Sequence, residues 1–64
     1  MNTSSDNIKK VRLKAGLTQT QSAALLSVCL RSWQNWEAGE RKMPDMAMEL
    51  YLIKTGQVKV TSLS

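Results

Sequence analysis

Apolar side chains recur at helical spacing in successive stretches of the chain. Ile8, Val11 and Ala15 repeat at i, i+3 and i+7, one face of a first helix. Ser5 or Asp6 can cap its start. Leu13 lies off the stripe. Gly16 supplies the left-handed residue that ends such a helix, and Leu17 the apolar contact that often follows. Thr18-x-x-Gln21 has capping-box spacing and opens a second helix, which closes on Leu25 and Leu26 with Ser27 at a tight corner. Ser22, Ala23 and Ala24 are small and let another helix approach. A third helix is predicted from about Cys29 to Ala38, stopped by Gly39. Trp33 and Trp36 share one of its faces, and Arg31, Gln34, Asn35 and Leu30 lie on the other. Cys29 is a poor cap, so this start is weaker than the second.

Pro44 fits the first turn of a fourth helix, where its missing N–H costs nothing. Met46, Leu50 and Ile53 form one face of that helix, with Ala47 and Tyr51 on the next. Met43, Met48 and Leu52 extend the apolar surface almost all round. Thr55-Gly56 ends it. Val58-x-Val60-x-x-Leu63 is too short for a helix and suits an extended arm. The reading is all-α, with four to five helices in one domain over residues 1–64: a core of about 6–55 and a tail of 57–64. The alternative is α+β, with a C-terminal β-hairpin after the third helix. It needs a turn signal within 43–60, and Thr55-Gly56 offers the one present.

Composition narrows the chemistry. Sixty-four residues suit one domain, since domains run to roughly 50–200 residues. There is no His, which removes the usual general base and the commonest metal ligand. One Cys excludes an internal disulfide and a Cys-rich zinc site. No nucleophile–base pair is visible, so an enzyme is not expected, nor a cofactor or metal. No apolar run approaches a membrane span, and Met1 to Asp6 is polar with no signal-peptide core. The expected location is the cytoplasm, with Cys29 as a free thiol. Nine basic against five acidic side chains give net +4, which favours a polyanionic partner without specifying one. Residues 1–14 hold four basic groups and one acid, so the charge is concentrated at the start.

Two helices joined by a short corner, the second with a polar outer face, have the layout of a helix-turn-helix. Leu17-Thr18-Gln19-Thr20-Gln21-Ser22-Ala23-Ala24-Leu25-Leu26-Ser27-Val28 leads into Trp33-x-x-Trp36-Glu37-x-Gly39-Glu40-Arg41 and then Pro44. This run resembles the helix-turn-helix domain of lambda-type phage repressors and Cro proteins over about residues 7 to 54. The short length is similar to Cro proteins in particular. Three positions depart from the family pattern. Ser27 stands where Gly is usual at the corner, Cys29 where Ser or Thr caps the recognition helix, and Ser22 where a bulky aliphatic is common. With the family backbone, Ser27 must take a left-handed conformation at some steric cost.

The resemblance implies a Cro-like transcriptional repressor of phage or prophage that binds operator DNA sequence-specifically as a homodimer, and the small size of the domain suggests a dimer that is weak in solution. Its third helix would lie in the major groove. The family's base-reading positions fall on Leu30, Arg31 and Asn35, with Gln34 beside them. Arg31 can donate two bonds to guanine, Asn35 or Gln34 can pair with adenine, and Leu30 can meet a thymine methyl. Gln19 holds the family's phosphate-contacting position, and Arg41 and Lys42 fall where members grip the backbone. Arg12 and Glu37 fall at the positions of a structural ion pair. The plain alternatives are a solvated face for Arg31, Gln34 and Asn35, a helix first turn for Gln19, and a charged loop for Arg41 and Lys42. The rival function is an antitoxin-like or adaptor protein-interaction module on the same fold.

Overall fold

Each helix boundary follows from a local group that the backbone needs there. The computed structural model describes residues 2–58. Ser4 accepts a bond from the Asn7 amide at 3.3 Å, so α1 spans Ser5–Ala15. The cap therefore lies one residue before the expected Ser5 or Asp6. Gly16 ends α1 with φ 74°, the left-handed conformation that suits glycine. Thr18 caps α2, Gln19–Leu25, with both arms of the capping box formed at 3.0 Å.

The corner to the next helix is built without glycine. Ser27 takes φ 57°, the conformation its place in the corner demands, and Val28 donates its amide back to the Ala23 carbonyl at 3.0 Å. Cys29 precedes α3, Leu30–Ala38, and makes no side-chain bond to a helix amide. Pro44 is the residue before α4, Asp45–Lys54, rather than in its first turn as expected. Among the described residues there are four helices and no strand, so the fold is all-α. α4 occupies the stretch where a hairpin would have begun. Of the expected tail, Val60 and Leu63 lie outside the described residues.

Trp33 is the centre of the core. It has no exposed surface, its ring lies 4.9 Å from Tyr51 and 5.7 Å from Trp36 between centroids, and Ile8, Ala23, Met43 and Met48 complete the buried set. Each such aromatic or large aliphatic side chain contributes about 1.5–3 kcal/mol of burial. α3 packs against α1 and α2, and α4 closes on α2. Lys54 donates to the Leu25 carbonyl at the end of α2, and Gln57 to the Val11 carbonyl of α1, both at 3.0 Å.

One apolar face goes the other way. Met48 and Tyr51 turn inward, which places Met46, Leu50 and Ile53 roughly opposite them around the helix. Met46 is 81 % exposed and Leu50 43 %. Met46 is thus not a core residue, although Met43 and Met48 are. Among the described residues no helix is long and apolar enough to cross a membrane.

Candidate nucleic-acid interface

The buried tryptophans set the rotation of α3 and therefore what it shows to solvent. With Trp33 and Trp36 inside, Leu30, Arg31, Gln34 and Ala38 are exposed and Asn35 is half-buried beside them. The four expected base-reading residues are thus brought to one side of one helix. Ala38 shares that side and was not anticipated. Its methyl adds no bulk, which lets a large partner approach the helix closely.

The end of α3 is folded back on itself. Gly39 ends the helix with φ 78°, and the amides of Glu40 and Arg41 both donate to the Asn35 carbonyl, at 2.9 and 3.3 Å. This closes the loop over the last turn and holds the Arg41 backbone beside the helix that carries Arg31. Arg41 and Lys42 are exposed. Among the described residues the one ion pair is Arg12–Glu37, so the heads of Arg31, Arg41 and Lys42 are unpaired. Lys9, Lys10 and Lys14 are exposed on α1.

Beneath this surface lies the Arg12–Glu37 pair. Arg12 Nε donates to Glu37 Oε2 at 2.5 Å and Arg12 Nη2 to Oε1 at 3.3 Å. The two side chains are 12 % and 7 % exposed. The indole N–H of Trp33 donates to the same carboxylate, and Gln19 Nε2 donates to Oε1 at 3.3 Å. Arg12 Nη1 donates to the Leu17 carbonyl at 3.0 Å. One carboxylate therefore ties α1, the start of α2 and α3 together. Burial alone would raise the Glu37 pKa; the bonds from Arg12, Trp33 and Gln19, with the Arg12 charge, outweigh it and lower the pKa.

Gln19, expected as a phosphate contact, is thus engaged with Glu37 and only half-buried. The Trp33 to Glu37 link has i, i+4 spacing and was open to sequence reading. The Gln19 to Glu37 link joins two helices and was not. Ser22 is another residue whose role was missed. It is fully buried, and its hydroxyl lies 2.7 Å from that of Tyr51. Burial raises the Tyr51 pKa, against the opposing bond from Ser22.

Cys29 is exposed with Sγ 3.3 Å from Ser32 Oγ, and the bond with the Ser32 hydroxyl lowers its pKa. Among the described residues no cluster of Cys, Asp and Glu could hold a metal ion. The outward face of α4 forms an open apolar groove lined by Met46, Ala47, Glu49, Leu50 and Ile53. No protein-family model matches this chain, and no curated protein is similar enough to count as a relative.

Proposed function

We propose that this chain is a sequence-specific double-stranded DNA-binding protein, a Cro-like repressor of phage or prophage transcription that acts as a homodimer in the bacterial cytoplasm. The observation that carries the reading is the exposed side of α3. Leu30, Arg31, Gln34 and Asn35 lie together on a helix whose opposite side is locked by two buried tryptophans. A major groove about 12 Å wide admits one α-helix. On such a helix an unpaired guanidinium and two amides are the donors and acceptors that base edges require.

The roles follow from side-chain chemistry. Arg31 reads guanine through two parallel bonds, Asn35 or Gln34 reads adenine, and Leu30 packs on a thymine methyl. Arg41 and Lys42 meet backbone phosphates, and Gln19 adds a neutral donor. The charge on α1 supplies general attraction. One α3 covers half a site, so a symmetric dimer reads a second half-site roughly 34 Å away. The open apolar face of α4 is the surface for the second copy.

Titration with random duplexes, and with duplexes selected from a random pool, tests this across a salt series. A reader of sequence shows steep salt dependence and a preference of about 10³ or more for selected duplexes. Equal affinity for all duplexes at every salt concentration would leave the protein-interaction module as the better account.

A further inference from the structure

We propose that Glu37 is a positioning residue that orients the Gln19 side chain to contact one DNA phosphate; this rests on the DNA-binding reading above. The Gln19 amide nitrogen carries two N–H groups. One is taken by Glu37 Oε1 at 3.3 Å. An ionised carboxylate can only accept, so it turns the amide oxygen away and fixes which end of the amide is the nitrogen. The second N–H is left as a donor on a side chain that is only half-buried. A phosphate diester oxygen, which has no proton to give, is the acceptor that such a donor suits.

A bare carboxylate close to DNA would repel it. Here the Glu37 charge is met by Arg12 through two bonds and is nearly shut off from solvent, at 7 % exposure. The pair is neutral as a unit, so it can orient Gln19 without opposing the phosphate. Glu37 stands on α3 itself, and its carboxylate also accepts from the Trp33 indole one turn earlier on that helix, whose rotation the buried tryptophans set. The phosphate donor and the base-reading side chains are therefore referred to one buried group. A shift of α3 in the groove moves the Gln19 contact with it.

The test uses the full chain and the tightest duplex from a random-pool selection, with single phosphates replaced in turn by neutral methylphosphonates. Wild type loses roughly tenfold in affinity at one such position that belongs to Gln19, the scale of a hydrogen bond to a charged group. Gln19→Met loses the same factor on the unmodified duplex and becomes indifferent to that replacement. Glu37→Gln, confirmed folded by circular dichroism, loses most of the sensitivity at that position and keeps its sensitivity at the Arg41 and Lys42 phosphates. In wild type, nitrogen-15 NMR of the Gln19 side chain adds a readout independent of any Glu37 variant. One amide proton keeps its position on adding duplex and the other shifts. Gln19→Met matching wild type at every phosphate would overturn the proposal. So would a folded Glu37→Gln with full sensitivity, or a Gln19 amide unmoved in the specific complex. A wild type that prefers no duplex sinks the DNA-binding reading and this proposal with it. A wild type that discriminates while Gln19 stays silent sinks this proposal alone.

Discussion

At the residue scale the decisive group is Glu37, which receives four N–H bonds from Arg12, Gln19 and Trp33. Its pKa is lowered in the folded chain, so the unfolded state binds the proton more tightly. Its contribution to stability is complete above the ordinary glutamate pKa of about 4.3 and is lost as pH falls through the lower folded value. Acid titration of the helical signal should show this loss in wild type and a flatter acid limb in Glu37→Gln; equal limbs would remove the claim. Arg12→Ala leaves a buried carboxylate short of its main partner and should destabilise by about 3 kcal/mol, read from denaturant melts. A double-mutant cycle of the two should show strong coupling. Arg31 belongs to another kind of site, exposed and unpaired. Arg31→Ala should cost about 1–3 kcal/mol in binding and relax preference at one base pair, with the melting curve unchanged. A selection that returns the wild-type sequence preference would displace the recognition face. The Arg12 and Glu37 positions were legible through resemblance. The further donors on Glu37 were not, because Gln19 lies 18 residues away and meets it only once the helices pack.

At the element scale, most of what is local was legible, with the α1 cap at Ser4 and the place of Pro44 each one residue off, and what depends on packing was not. Gly16, the Thr18–Gln21 box, Ser27 and Gly39 act within a few residues of themselves, and each stands where its spacing placed it. The rotation of α4 was hidden, because Met46, Met48, Leu50, Tyr51, Leu52 and Ile53 put apolar groups on nearly every side. No polar stripe marks which face is outside. Tyr51 resolves this by setting its ring on Trp33 and its hydroxyl against Ser22. The departure at Ser22 thus has a partner: a small polar side chain in α2 makes room for the phenol of α4 and satisfies it. Ser22→Ala should cost about 1–3 kcal/mol, because it leaves a buried hydroxyl unsatisfied. Adding Tyr51→Phe should recover part of that loss, since neither partner is then stranded. Chemical denaturation of the four chains in this cycle decides it. A double variant as unstable as the summed singles would mean the two hydroxyls act independently.

At the scale of the whole molecule, the outward face of α4 is the feature the monomer leaves unused. A chain of 64 residues has little apolar surface to spare, yet Met46 and Leu50 stand in water with Ile53 beside them. In the proposed dimer this face meets its own copy, since a two-fold interface uses one patch on both partners. Met46→Glu with Leu50→Glu should then leave the helices intact, because neither side chain is in the core. Self-association should be lost, with two carboxylates placed against two more across the axis. Sedimentation should show a monomer at concentrations where wild type is dimeric. The melting temperature of wild type should rise with concentration and that of the variant should not. On DNA the two effects separate. Affinity for a single half-site should stay at the wild-type level, because α3 is untouched. Affinity for two half-sites should fall toward that same level, because the second half-site no longer binds a tethered partner. A variant that keeps wild-type mass and wild-type cooperativity would move the dimer contact off α4.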